Sequence, residues 1–153
     1  AVEILKNTKV FKNTLLVLWG REVDNGEVRR KIVEYQLHKN VILGGFNDQM
    51  DIFWKFCDIN LFLSLNDGFG LPIVEGYMHG VPCVTFEDLD ATQDLYYPEA
   101  MLKVKDRSIE SVANALRTSL DKNWNHEEIA EIGNMFSIDS MSEKYVNWYR
   151  TLI

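Results

Sequence analysis

The sequence predicts an α/β protein in which an open parallel sheet is covered by helices on both faces. Short apolar segments alternate with amphipathic segments along the chain, which is the pattern of repeated βαβ units. The apolar segments are nearly continuous, as expected of strands that are buried on both sides. The length of 153 residues fits one domain.

Five apolar segments are predicted to be strands because each is short and is followed by turn or helix signals. Gly20 ends the first, and the pair Gly44 and Gly45 ends the second. The last of the five is predicted to lie at an edge of the sheet. The predicted strands cover residues 15–19, 41–43, 59–65, 83–86 and 101–104.

Seven segments are predicted to be helices from apolar positions three or four residues apart. In the third of them, Pro72 stands in the first turn, where its missing N–H costs nothing, and Gly80 with Pro82 marks the end. The predicted helices cover residues 27–36, 48–57, 71–78, 91–97, 108–120, 126–135 and 140–152.

Three of these helices carry specific expectations about burial. In the second helix, Ile52, Phe53 and Phe56 are predicted to face inward. The helix at 108–120 carries one apolar stripe, made of Ile109, Val112, Leu116 and Leu120. The last helix carries an apolar and aromatic stripe that either packs on this domain or stays partly exposed, made of Met141, Tyr145, Trp148, Tyr149 and Leu152.

Charge and composition exclude several classes of protein. The net charge of −7 leaves no basic face for a nucleic-acid polymer, and the basic cluster at 29–31 is flanked by Glu27 and Glu34 as on a solvated helix. No apolar run approaches the ~20 residues that span a bilayer, and no leader pattern is present, so we expect a cytoplasmic protein. Cys57 and Cys83 are expected to be free thiols, with a disulfide left open.

The strongest candidate site lies where the third strand runs into the third helix. In open α/β sheets, ligands bind beyond the carboxyl ends of the strands. Gly68 and Gly70 allow close approach of the backbone, and a helix start offers unpaired N–H groups and partial positive charge to a phosphate. Asp67 precedes this turn and Glu75 follows one helical turn later. The alternative is an ordinary turn with a surface charge. The loop is not the dinucleotide fingerprint, because Ile73 occupies the third glycine position.

The run SLNDGFGLPIVEG at residues 64–76, followed by GVP at 80–82, closely resembles the signature of retaining GT-B glycosyltransferases of family four, also called glycosyl transferases group 1. The resemblance extends more loosely from the first strand through the helix at 108–120. It implies a two-domain enzyme in which one Rossmann-like half binds a nucleotide-diphosphate sugar. That sugar passes with retention to an acceptor, a glycan or a lipid-linked molecule, in polysaccharide biosynthesis.

By this resemblance, residues 1–153 form the C-terminal donor-binding domain without its first strand and without the N-terminal acceptor domain. The chain would begin in the helix after that strand, and Lys6, Lys9 and Lys12 do not match the basic residues that bind the diphosphate in the family. A helix terminus supplies an anion with only ~0.3–1 kcal/mol. We therefore expect the isolated domain to bind nucleotide weakly and to transfer no sugar.

The resemblance also implies roles for individual residues. Asp67 and Glu75 are the catalytic residues that the resemblance implies. Asp67, a carboxylate where the family usually has Glu, would contact the hydroxyls of the donor sugar, and Glu75 would bind the ribose. No cofactor and no metal are implied. The remaining predicted donor-binding residues are Phe46, where the backbone meets the base, and the loop residues Gly68, Phe69, Gly70, Leu71 and Pro72. In place of the family's Gly-Gly after the fourth strand, this chain has residues 88–91.

Two other functions are compatible with parts of the sequence. A non-catalytic binding module of the same fold would keep the site and lack transfer. A phosphoacceptor receiver domain could use Asp67, but Arg21 stands where acidic residues are expected. For the parent protein, peripheral membrane association and dimerisation through the last helix are further hypotheses.

Overall fold

The computed structural model describes residues 13–21 and 26–152. The predicted helix at the start of the chain, with its three lysines, lies outside these residues. Five strands and seven helices occur in the described part of the chain. The strands are β1 (Leu16–Trp19), β2 (Val41–Gly45), β3 (Asn60–Phe62), β4 (Cys83–Phe86) and β5 (Met101–Val104). The helices are α1 (Glu27–Glu34), α2 (Met50–Trp54), α3 (Leu71–Met78), α4 (Asp90–Leu95), α5 (Ile109–Asp121), α6 (His126–Asn134) and α7 (Ile138–Arg150).

All strand pairs of the described residues are parallel, which confirms the predicted fold class. β1 pairs with β2, with Leu16 opposite Val41. β4 lies between β3 and β5, so that Cys83 is opposite both Asn60 and Met101. The strands are thus divided between a two-stranded sheet and a three-stranded sheet.

Helices cover both faces of the three-stranded sheet. On one face, Val84 and Val104 pack in a cluster with Ile32 of α1 and Leu116 of α5. On the other face, Cys83 and Met101 belong to a second cluster built with α3 and α6. Successive residues of a strand point to opposite faces, so a continuous apolar strand such as β4 fills both clusters.

The prediction for the second helix is wrong in its orientation. Trp54 is the buried residue of α2, whereas Ile52 is exposed and Phe56, which lies beyond the end of the helix, is 83% exposed. α2 has only five residues, little more than one turn, so a stripe that assumes ten residues of continuous helix does not form.

Two glycines place α3 tightly against its neighbours. Gly80 has φ 74°, and it ends α3 with hydrogen bonds from its own N–H to Tyr77 and from the N–H of Val81 to Gly76, the Schellman pattern. Gly133 of α6 lies so close to α3 that an added Cβ would be 2.6 Å from the Cα of Met78. The helix that begins at the candidate site is therefore fixed at its far end and along its side.

The last helix differs from the others that follow β5. α5 and α6 each bury several residues, whereas α7 buries none. Trp148 is 56% exposed and Tyr149 is similarly exposed, which confirms that part of the predicted stripe lies open. Cys57 and Cys83 are free thiols, as predicted.

Candidate functional site

The candidate site is the loop between β3 and α3, and α3 begins at Leu71 as the sequence predicts. Gly70 caps the helix with φ 82°, a left-handed conformation that favours glycine. A Cβ at Gly70 would lie 3.0 Å from the Cβ of Ala91 and 3.0 Å from the Cδ1 of Ile73. Both the conformation and the space therefore require glycine at the helix start.

Asp67 bonds to its own loop. Its Oδ1 accepts hydrogen bonds from the N–H of Phe69, at 3.1 Å, and from the N–H of Gly70. Phe69 and Gly70 are two of the loop residues that the resemblance assigns to donor binding. The contact between Asp67 and a donor sugar stays a prediction. The structure shows that the same carboxylate bonds to two backbone amides of its own loop.

Glu75 lies on the exposed surface of α3, one turn after the helix start. Its backbone carbonyl lies 2.9 Å from Nδ1 of His79. Among the residues that the structure describes, its carboxylate has no hydrogen bond and no ion pair. An exposed carboxylate at this position is available to a polar ligand.

Side-chain contacts that the sequence analysis missed hold the loop in place. Phe69 meets Phe136 edge to face, with ring centroids 6.4 Å apart. Asn60, a buried residue of β3, donates from Nδ2 to the carbonyl of Pro72 at 2.8 Å. A buried asparagine at the start of an apolar strand is a sequence signal for such an anchor, because a buried amide needs partners.

Phe46 lies directly after β2, in the other sheet, and its ring is 68% exposed. The guanidinium carbon of Arg21, which follows β1, lies 5.5 Å from the centre of this ring. The pair forms a cation–π contact at the carboxyl ends of the two strands. The structure thus places Phe46 beside Arg21, on a different strand end from the loop at 66–70.

Ion pairs involve two of the three acidic residues at 87–90, directly after β4. Arg107 donates to both carboxylate oxygens of Asp88, at 3.1 and 3.2 Å, and its guanidinium lies over the ring of Phe86. Lys103 lies 3.5 Å from a carboxylate oxygen of Glu87. Of residues 88–91, which stand in place of the family's Gly-Gly, Asp88 is therefore paired with a basic residue from the loop after β5.

Two buried groups near α3 are poor candidates for proton transfer. Burial raises the pKa of the Tyr77 hydroxyl, which donates to the carbonyl of Leu95 at 3.1 Å. Burial also raises the pKa of the Cys83 thiol. Both groups stay protonated at neutral pH, and both side chains pack in the hydrophobic core.

Residues 1–134 match the family model described as "Glycosyl transferases group 1". The chain belongs to this family. One relative is a poly(glycerol-phosphate) alpha-glucosyltransferase of Bacillus subtilis, which is 24% identical over 90% of this chain. Another is the O-antigen biosynthesis glycosyltransferase WclY of Escherichia coli, which is 23% identical over 89% of this chain.

The chain spans 20% of the length of the Bacillus subtilis relative and 38% of the length of the Escherichia coli relative. Among solved structures, HepE of Anabaena in complex with UDP superposes with a TM-score of 0.77 over 98% of this chain and 44% of its own, at 16% identity. This likeness shows that the chain shares the α/β fold of somewhat less than half of HepE. The predicted family and fold are confirmed.

Neither a metal-binding cluster nor a membrane-spanning helix occurs among the described residues. They contain no group of three or more His, Cys, Asp or Glu side chains placed to hold a metal ion. Among these residues, no helix has the length and apolar character that crossing a bilayer requires. The expectation that the reaction uses no metal stays a prediction.

Proposed function

We propose that this chain is the donor-binding part of a glycosyltransferase, which moves a sugar with retention from a nucleotide diphosphate to a glycan or lipid-linked acceptor. The observation that carries the proposal is the position of α3, which begins at Leu71 beyond the carboxyl end of β3. Its start is the place where a parallel α/β sheet presents amides and partial positive charge to a ligand.

The chemistry suits that position. In sugar transfer, the bond between the anomeric carbon and the diphosphate oxygen breaks, and negative charge builds on the leaving phosphate. A fixed helix start stabilises charge where it develops and needs no reorganisation. Glu75, with its exposed carboxylate on the first turns of α3, would accept hydrogen bonds from the ribose hydroxyls, and the backbone at Phe46 would meet the base.

The proposed acceptor follows from the relatives. One is named for glucosyl transfer to poly(glycerol phosphate) and the other for O-antigen biosynthesis. Both names support an acceptor that belongs to a polymer under synthesis. HepE has been solved with UDP-glucose, which supports a uridine nucleotide as the first donor to test.

We further propose that the chain works together with a preceding strand and an N-terminal acceptor domain of a longer protein. The division of the strands into two sheets supports the missing strand, and the coverage of 44% of HepE supports the missing domain. Millimolar binding needs ~4 kcal/mol, several times what a helix start supplies. The isolated chain is therefore expected to bind UDP weakly and to transfer no sugar.

The exposed stripe of α7 supports a contact with that acceptor domain, because Trp148 and Tyr149 offer a large apolar surface. Dimerisation through the same stripe is the alternative. Peripheral membrane association of the longer protein and a cytoplasmic location complete the proposal.

The test is a donor screen on the full-length parent protein, with Glu75→Gln compared to the wild type. Loss of a charged hydrogen-bond acceptor should weaken the affinity for the donor about tenfold or more. Glu131→Gln, an exposed carboxylate on α6, is the matched control and should leave the affinity unchanged. Equal donor affinity in Glu75→Gln would remove the ribose assignment. Donor binding without any transfer would favour the non-catalytic binding module.

A further inference from the structure

Three aromatic rings join the loop at 66–70 to the connection between α6 and α7. The ring of Phe136, in that connection, meets the ring of Phe69 with centroids 6.4 Å apart and planes at 68°. Phe136 also meets the ring of Tyr97, with centroids 6.5 Å apart and planes at 79°. Phe136 and Tyr97 are half-buried and pack against the hydrophobic cluster that α3 and α6 form on the three-stranded sheet. The aromatic side chain of the loop is thus connected to the core through Phe136.

The backbone on both sides of Phe136 is fixed by hydrogen bonds. The N–H of Phe136 donates to the carbonyl of Gly133 at 3.0 Å, just after the end of α6. Directly after Phe136, the side chain of Ser137 caps α7 by accepting from the N–H of Ser140 at 3.2 Å. A side chain held between two helix ends has little freedom to follow a moving neighbour. Phe136 is therefore suited to fix the position of Phe69.

The loop that Phe69 belongs to needs such a contact. Asn66, Gly68 and Phe69 are exposed, and Phe69 is the large apolar side chain of this segment, with 42% of its surface open. An exposed loop with few buried contacts opens at low cost in free energy. A loop that spends part of its time in other conformations binds a ligand more weakly, in proportion to the time lost. A fixed Phe69 ring therefore favours the conformation in which α3 begins beside the loop.

We infer that Phe136 is a positioning residue, whose ring holds Phe69 and so keeps the loop at 66–70 in the conformation that binds the donor. Phe136 acts through Phe69 and does not itself touch the donor. The effect on donor binding rests on the proposed function. The effect on the loop does not, so the two ideas can fail separately.

A double-mutant cycle on the full-length parent protein, titrated with UDP-glucose, tests this role. Phe136→Leu keeps an apolar side chain and removes the ring pair, so the affinity should fall about three- to tenfold. Phe69→Leu should cause a similar loss. The double variant should be no weaker than either single variant, because Phe136 acts through Phe69. Additive losses would overturn the inference, and so would an unchanged affinity in Phe136→Leu.

Trp124→Phe is the matched control for a general loosening of the core. Trp124 belongs to the cluster against which Phe136 packs, and its Nε1 donates to the carbonyl of Ser119 at 2.8 Å. Loss of that bond should lower the unfolding midpoint and leave the affinity for UDP-glucose unchanged. If Trp124→Phe weakens the donor as much as Phe136→Leu does, the effect belongs to the stability of the core and the inference is wrong.

Hydrogen exchange of the Gly70 amide in the 153-residue chain measures the same cycle without a donor. This amide donates to Asp67 within the loop, so its exchange reports on opening of the loop. Phe136→Leu, Phe69→Leu and the double variant should each speed exchange about three- to tenfold, and Trp124→Phe should not. Unchanged exchange in Phe136→Leu contradicts the inference. If the wild-type parent does not bind UDP-glucose, the proposed function loses its support, while the exchange rates still decide whether Phe136 holds the loop.

Discussion

The two parallel sheets of this protein differ in how completely their apolar strands are buried. Every residue of β4 is buried, and helices pack on both faces of the three-stranded sheet. All four residues of β1 are only half-buried, and Ile42 of β2 is 47% exposed. The strands of the two-stranded sheet contain no polar side chain, whereas those of the three-stranded sheet contain Asn60, Thr85 and Lys103. Apolar character alone therefore does not decide which strand becomes core.

The helices that pack on each sheet explain the difference in burial between the two sheets. α3 and α6 pack on one face of the three-stranded sheet, and Gly133 lets them approach closely. Near the two-stranded sheet, α2 is a five-residue helix that buries only Trp54, and it leaves Ile52 open. The sequence shows which side chains are suited to a core, whereas the lengths and contacts of the covering helices decide which side chains enter it.

The largest expected effect on stability comes from truncating one isoleucine to alanine in the well-covered region and one in the two-stranded sheet. Ile73→Ala should cost ~2–5 kcal/mol of unfolding free energy, because Ile73 is fully buried on α3 and its loss leaves a cavity. Ile42→Ala should cost less than ~1 kcal/mol, because about half of that side chain already contacts water. Urea unfolding of both variants measures the difference. Equal losses would show that the two sheets are covered alike.

Gly133→Ala should have the next largest effect, and its sign is informative. Inside an open helix this change should stabilise by ~1 kcal/mol. Here the new Cβ would lie 2.5 Å from the carbonyl carbon of Tyr77, so overpacking should destabilise by ~1–3 kcal/mol instead. Thermal unfolding measures the sign. A stabilised variant would mean that α3 and α6 separate easily, and that the well-covered region is less tightly packed than its burial indicates.

The elements whose signals are local were the predictable part of this fold. α3 begins and ends where Pro72 and Gly80 predict, and β4 and β5 have their predicted bounds. Predictions failed or were missing where a distant partner decides the outcome. The orientation of α2 depends on its short length, and the pairing of Asp88 with Arg107 joins residues 19 positions apart.

The candidate site also has features that the local sequence predicts and contacts that only the folded chain shows. The loop and helix start at 66–72 followed from glycine, proline and acid spacing, and the helix start at Leu71 is confirmed. The bond from the Gly70 amide to Asp67 could have been expected from Asx-turn chemistry, since Asp commonly accepts from amides two or three residues on. The contacts of Phe69 with Phe136 and of Asn60 with Pro72 required the folded chain.

The smallest expected effect on stability is that of Trp148→Ser on α7. Trp148 lies on a helix that buries no residue, so the change should alter the unfolding free energy by less than ~0.5 kcal/mol. Trp124→Ser is the matched comparison and should cost ~3–5 kcal/mol, because Trp124 is buried and donates from Nε1 to the carbonyl of Ser119.

Sedimentation velocity on the wild type and Trp148→Ser then distinguishes the two proposed partners of the exposed stripe on α7, a second copy of the chain and the acceptor domain. Self-association of the wild type that Trp148→Ser abolishes indicates a dimer through the stripe. Monomers in both cases favour the acceptor domain as the partner of the stripe. A large loss of stability in Trp148→Ser would show instead that α7 packs on the domain and that the exposed region is smaller than the structure indicates.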